Sequence, residues 1–183
     1  MNKFVGIVGN NWHGSRNRML LQYMQARYAE QFELTILETG QLPLFSQDDE
    51  HDPSAAVLAF RDAIAAADGV IIATAEHNHS VPTALKNALD WCSRVVHPIA
   101  GKPVMIVGAS LGPMGSVRAQ AHLRQILDSP GIAAHVLPGN EFLLADSSHQ
   151  FDAQGQLTNT NPATIEFLDQ SVTAYINFVQ SQN

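Results

Sequence analysis

The chain is predicted to fold as a doubly wound α/β sandwich, a five-stranded parallel sheet of order 2-1-3-4-5 with helices on both faces. Three observations predict it. Short apolar, β-branched runs alternate with stretches whose apolar residues recur at helical spacing. One run, Gly69 to Ala75, is apolar almost without a break, as a strand buried on both faces requires. Three of the runs lead into loops of small and polar residues: Gly9 to Arg18, Thr74 to Pro82, and Gly108 to Gly115.

Each element follows in order. Lys3 to Gly9 is short, β-branched and ends in glycine, so it reads as strand one. Ser15 is placed to cap the next helix, where Met19, Leu20, Tyr23, Met24 and Tyr28 share a face. Phe32 to Glu38 alternates, the pattern of a second strand near an edge. Leu42 to Pro53 is a loop rich in proline and acidic residues, and Ser54 caps a helix to about Ala67. Pro82 suits the first turn of a helix that carries Leu85, Leu89 and Trp91 and ends near His97 and Pro98. Lys102 to Ala109 is strand four. A helix through Val117, Ala121, Leu123, Ile126 and Leu127 is stopped by Pro130 and Gly131. Ala133 to Leu137 is strand five, Phe151 to Leu157 a surface turn or small hairpin, and Pro162 opens the last helix. The span 1–183 reads as a single domain without repeats or linkers.

Composition narrows the functional classes. A net charge of −7 speaks against a nucleic-acid or anionic-membrane surface. The one cysteine, Cys92, excludes an internal disulfide and fits a reducing compartment. No run approaches the ~18 apolar residues of a membrane span. The N-terminus reads as a first strand rather than a signal peptide, so the expected location is the cytoplasm.

In an open parallel sheet, loops at the carboxyl ends of the strands meet in one crevice, and ligands bind there. In the first loop, Gly9 and Gly14 are spaced as in a nucleoside-triphosphate loop, but Ser15 and Arg16 stand where that loop needs lysine. The dinucleotide pattern Gly-x-Gly-x-x-Gly is also absent. A polar turn entering a helix leaves free N–H groups that, with the Ser15 hydroxyl and Asn17 amide, can hold a phosphate. A plain N-cap and turn explain these residues equally well. The second loop, with Ala75, Glu76, His77, Asn78, His79 and Ser80, lets the backbone approach a planar ring and bond its edge. Its histidines have two other readings: metal ligands together with His13, or solvent-facing turn residues. Glycines in the third loop let the backbone lie close to a ligand, although a helix start also accounts for it. Three such loops at matching positions point to a pocket for a phosphorylated, flat cofactor.

At these residues the chain resembles the NAD(P)H-dependent FMN reductase and quinone reductase family of flavodoxin-like proteins. That family carries Gly-Ser-x-Arg-x-x-Ser-x-Asn after strand one, where this chain runs from Gly9 through Ser15 to Asn17. It carries Pro-Glu-Tyr-Asn-x-Ser-x-Pro and then Leu-Lys-Asn-Ala-x-Asp-Trp, where this chain has Ala75 to Pro82 and then Leu85 to Trp91. Gly101 to Ser110 and Arg118 to Arg124 match as well. The chain departs from the pattern at Asn10 for serine, Trp12 for arginine, Ala75 for proline and His77 for tyrosine.

The resemblance implies a flavin-dependent oxidoreductase that moves electrons from NAD(P)H through FMN to a small acceptor: a flavin, quinone, azo compound or metal ion. A flavodoxin-like electron carrier or binding module is the alternative. The implied cofactor residues are Asn10, Trp12, Ser15, Arg16, Asn17, Ala75, Glu76, His77, Asn78, Ser80, Ser110 and Gly112. The phosphate falls to Ser15, Arg16, Asn17 and Asn10, and the ring edge to Glu76 and Asn78. No resident metal is expected. His77 or His79 is a candidate proton donor, and an imidazole at 77 is expected to make the flavin potential depend on protonation near pH 6–7. The resemblance further implies a homodimer or homotetramer, with Leu85, Leu89, Trp91 and Val95 as the apolar face that a two-fold pairing would bury.

Overall fold

The computed structural model describes residues 1–182. Strand β1 (Asn2–Val8) is flanked on both sides. It runs parallel to β2 (Phe32–Glu38), with Asn2 beside Phe32, and to β3 (Gly69–Ala73), with Phe4 beside Gly69. β3 pairs with β4 (Pro103–Ala109), giving the expected order β2-β1-β3-β4 and then a fifth position, all parallel. β2 is an edge strand, as its alternation predicts, and every residue of β3 and β4 is buried.

The fifth position departs from expectation. It is divided between β5 (His135–Val136), beside Pro103 and Val104, and β6 (Phe142–Leu144), beside Val107 to Ala109. Between them lies Pro138, which has no N–H to give a ladder, and Gly139 at φ +73°. The continuous strand expected over Ala133 to Leu137 is only two residues long, and Ala133 at its start has a left-handed φ of 49°.

Strand alternation sends side chains to two layers. Phe4, Val8, Ile71, Met105 and Val107 pack with α1 (Arg16–Arg27) and α5 (Pro162–Ser181). Val5, Ile7, Val70, Ile72, Val104 and Ile106 pack with α2 (Ala55–Ala66), α3 (Thr83–Trp91) and α4 (Val117–Leu127). Helices thus cover both faces, and Asn161 caps α5 through the N–H of Ala163. Phe151 and Leu157 form the expected small hairpin, with Asp152 Oδ1 accepting from the N–H groups of Gln154 and Gln156.

Helix α3 is shorter than expected. Pro82 is its N-cap rather than a first-turn residue, and the helix stops at Trp91, well before His97. Its apolar residues face inward. Leu85 and Leu89 sit in the core, and Trp91 is buried with its indole N–H on the Pro43 carbonyl at 2.8 Å. The apolar face expected to serve a two-fold pairing is therefore filled within one chain. Of its four residues only Val95 is exposed.

Gly9 ends β1 where that strand meets β3. Its N–H donates to the Ala73 carbonyl at 2.8 Å, and a Cβ here would lie 2.6 Å from that same oxygen. No larger residue lets loops one and two leave the sheet so close together.

Candidate active site

The first loop is held mainly by its own polar groups. Ser15 Oγ accepts the Arg18 N–H at 3.1 Å, which makes it the helix cap predicted, and donates to Asn10 Oδ1 at 2.6 Å. That leaves its hydroxyl no proton for a phosphate. Asn17 is also committed: its amide donates to the Ala109 carbonyl at 3.0 Å, and its Oδ1 accepts the Ala109 N–H at 2.9 Å. Ser15 and Asn17 are both buried. They build the loop rather than present side-chain donors. What remains free by helix geometry are first-turn backbone N–H groups at Arg16 and Asn17.

Arg18 is a structural residue that the sequence reading missed. It pairs with Glu38 through Nε at 2.5 Å and a terminal nitrogen at 2.7 Å. Its other terminal nitrogen donates to the Trp12 and His13 carbonyls, each at 3.0 Å. Fixed this way, the Trp12 ring lies over Gly14, where a Cβ would come within 2.6 Å of it, and stays 53% exposed. Arg18 closes the loop motif in sequence, but its partner Glu38 lies on β2, and no local pattern signals that.

Arg16 contrasts with its neighbour. Its contacts are Met19 Sδ at 3.2 Å and the Ser148 carbonyl at 3.5 Å, and its Nε is buried without a hydrogen-bond partner.

In the second loop, His77 and Ser80 exchange backbone hydrogen bonds of 3.0 Å across a two-residue turn. Asn78 and His79 both have positive φ, 51° and 64°, the pairing of a type I′ hairpin turn. Both are exposed at its tip. The Glu76 carboxylate caps α4, accepting the N–H groups of Arg118 at 2.9 Å and Ala119 at 3.3 Å, and pairs with the Arg118 guanidinium at 3.2 Å. Burial opposes its charge, yet the Ala119 and Arg118 bonds prevail and hold the carboxyl below its ordinary value. Both oxygens are occupied, so a ring edge would meet this loop through its backbone.

The third loop folds back on β6. The Ser110 N–H donates to Leu144, the Ser147 N–H donates to Ser110, and Ser110 Oγ accepts the Gly112 N–H at 3.2 Å. At Gly112 a Cβ would meet nothing nearer than Ser110 Oγ at 3.9 Å. It would simply fill open space.

These loops enclose a cleft of about 380 Å³, lined by Asn10, Trp12, Arg16, Asn17, Ala75, Glu76, His77, Ser110 and Gly112 of the predicted residues, with Ala109 and Leu111 added. Small-molecule sites span roughly 300–1,000 Å³. Ser15 stands behind this cleft. Ser80 faces a neighbouring groove of about 390 Å³ between α3 and α4, its hydroxyl 2.8 Å from His122 Nδ1. Asn78 lines neither.

The donor set suits a phosphorylated flavin. A cationic side chain with a buried, unpartnered Nε stands at the start of α1, and the Gly112 backbone leaves open space at the cleft wall. No thiol serves as a nucleophile, since burial pushes the lone Cys92 up to about 12. Among the described residues no three His, Cys, Asp or Glu side chains gather as metal ligands, so the metal reading of His13, His77 and His79 has no geometry behind it.

Comparison with known proteins shows the family. The family described as NADPH-dependent FMN reductase matches residues 2–149. A Vibrio ruber protein named NADH:(hydroxy)cinnamate reductase subunit CrdA is 45% identical over 97% of this chain and 87% of its own length. The NADH-dependent flavin reductase subunit 2 of Lactobacillus johnsonii is 39% identical, covering 97% of each chain. A quinone reductase of Escherichia coli is 36% identical over 96% of this chain and 94% of its own. Among solved structures, the Paracoccus denitrificans flavoenzyme FerB, an NAD(P)H:(acceptor) oxidoreductase, superimposes with a TM-score of 0.89 at 28% identity, covering 100% of this chain and 99% of that one. The chain belongs to the NADPH-dependent FMN reductase family and is a flavin-dependent oxidoreductase that works with FMN and NAD(P)H.

Proposed function

We propose that the cleft between the three loops is the FMN site, and that the enzyme reduces a small organic acceptor of the quinone or flavin type. One observation carries the reading: three strand-end loops converge on one cleft whose walls include a cation beside a helix N-terminus and the open backbone of Gly112. The phosphate would lie by Arg16 and the first turn of α1, where the helix dipole favours an anion. The ring would lie along the backbone of Glu76 and His77 and against Ser110 to Gly112. When bound, FMN supplies the hydride chemistry, accepting from NAD(P)H and returning electrons to the acceptor. The chain binds and orients. Trp12 and Leu111 form an apolar mouth, and exposed His77 offers a polar group beside it. Titrating apoprotein with FMN while following flavin fluorescence tests the site. Binding that Gly112→Val leaves untouched would place the flavin elsewhere.

A second reading draws on two relatives that are each named a subunit. In it the chain feeds electrons to a protein partner. The exposed Trp12, Leu111 and Met114 give it an apolar rim on which such a partner could rest. Rapid NAD(P)H oxidation with a free quinone or free flavin supports the first reading; turnover only with an added partner protein supports the second.

The family resemblance also supports a homodimer or homotetramer. The exposed Val95 and Val96 beyond α3 are available to it. Light scattering that gives a monomer mass at micromolar concentration would refute it. Among the described residues no helix is long and apolar enough to cross a membrane, which together with a buried, unpaired Cys92 fits the cytoplasm.

A further inference from the structure

We propose that Arg16 makes this cleft select the phosphorylated flavin over the unphosphorylated one. The inference rests on the cleft being the flavin site and deepens that reading: of the groups at the phosphate end, Arg16 is the one that would tell a phosphorylated flavin from a bare one.

Three arginines stand on or beside the cleft loops. Arg18 is forked onto Glu38 and two loop carbonyls, and Arg118 is paired with Glu76. Each charge is matched by a carboxylate, so neither has much left for an anion. Arg16 has no such partner. The chain has seven arginines. Arg27 and Arg94 are ion-paired with Asp169 and Glu50, while Arg61 and Arg124 each donate to two backbone carbonyls. Among the described residues Arg16 alone is left with a thioether, one long bond of 3.5 Å to Ser148, and a buried Nε that bonds nothing.

A buried donor without a partner is unfavourable, and an acceptor that reaches it recovers the loss. A guanidinium offers a fork of donors that matches phosphate geometry. Moving onto a phosphate would cost Arg16 only its weak contacts. The other groups at this end discriminate far less. Ser15 and Asn17 spend their side chains on Asn10, Arg18 and Ala109. The free N–H groups of the first turn donate to a ribityl hydroxyl as well as to a phosphate oxygen, and the helix dipole adds only about two- to fivefold for the anion. Full charge at Arg16 is what a phosphate gains and a bare flavin does not.

The test compares FMN and riboflavin binding to apoprotein by calorimetry and flavin fluorescence, for wild type, Arg16→Gln and Arg16→Lys, with circular dichroism to verify folding. Arg16→Gln should weaken FMN by about tenfold or more and leave riboflavin unchanged, with Arg16→Lys between. In wild type, FMN affinity should fall with added salt while riboflavin affinity does not, a readout that needs no variant. Equal loss of both flavins in Arg16→Gln, or no loss of either, overturns the inference. Equal binding of both flavins by wild type overturns it too, yet leaves the cleft as a flavin site. If wild type binds neither flavin, the assignment of the cleft itself falls, and this inference with it.

Discussion

Asn17 and Ala109 form a two-bond pair that ties the first turn of α1 to the last residue of β4, with one bond of 3.0 Å and one of 2.9 Å. Loops one and three, which both line the cleft, are thereby held at a fixed spacing. Replacing Asn17 with alanine leaves both the Ala109 N–H and its carbonyl without these partners in a buried place. The expected loss is about 2–4 kcal/mol, measured by urea unfolding, with weaker FMN binding. Asn17→Asp keeps the acceptor but sets a buried carboxylate against the Ala109 carbonyl, and should cost at least as much.

Glu76 reaches from loop two to cap α4, a helix whose own cap residue, Ser116, makes no side-chain cap bond. Glu76→Gln should cost roughly 1 kcal/mol at neutral pH. Because the folded carboxyl is held below its ordinary value of 4.5, its contribution is fully present above that pH and is lost as pH falls through the folded value. Wild type and variant should therefore converge in stability in acid. A constant difference from pH 7 to pH 3 would contradict the cap.

Ser15→Ala removes the cap on Arg18 and frees Asn10. About 1 kcal/mol of stability should go, visible as a lower melting temperature. FMN affinity should drop far less than in Arg16→Gln, because the Ser15 hydroxyl is already committed. A larger drop for Ser15→Ala than for Arg16→Gln would reverse the roles assigned to these neighbours.

Gly9→Ala places a methyl 2.6 Å from the Ala73 carbonyl. The two nearest atoms, the Ala73 carbonyl oxygen and Thr74 Cα, are backbone and have little room to yield, so overpacking should cost about 1–3 kcal/mol. The strands must part there, which would spread loops one and two. Thermal denaturation and FMN titration should both register the change.

Much of this was legible in the sequence, and the misses have specific causes. Runs such as Val70 to Ala73 and Val104 to Val107 read correctly because burial on both faces leaves no other pattern. Phe142 to Leu144 was invisible as a strand, since three residues show no periodicity and their partner lies 35 positions upstream at Val107. Loop composition located the cleft, with nine of the predicted residues on its walls. It did not tell which neighbours turn inward. Asn17 is buried, Arg16 reaches the cleft and Arg18 leaves it for β2, an outcome of helix phase and of long-range partners. The apolar residues of α3 misled for a related reason: a short helix beneath a loop can bury Trp91 against Pro43 and Phe45, residues that carry no helical signal.

Dividing the fifth strand also bears on how the molecule meets its own copies. Exposed strand edges invite foreign strands to add. Here that edge is two stubs of two and three residues, separated by a proline and a left-handed glycine. An incoming strand finds no continuous row of hydrogen-bonding groups to follow. The opposite edge, β2, turns Glu33 and Thr35 to solvent, and an added strand would have to accommodate both. Sideways growth of the sheet, the common route to aggregation in β-rich chains, is blocked at one end and discouraged at the other, and orderly assembly is left to the helical surfaces.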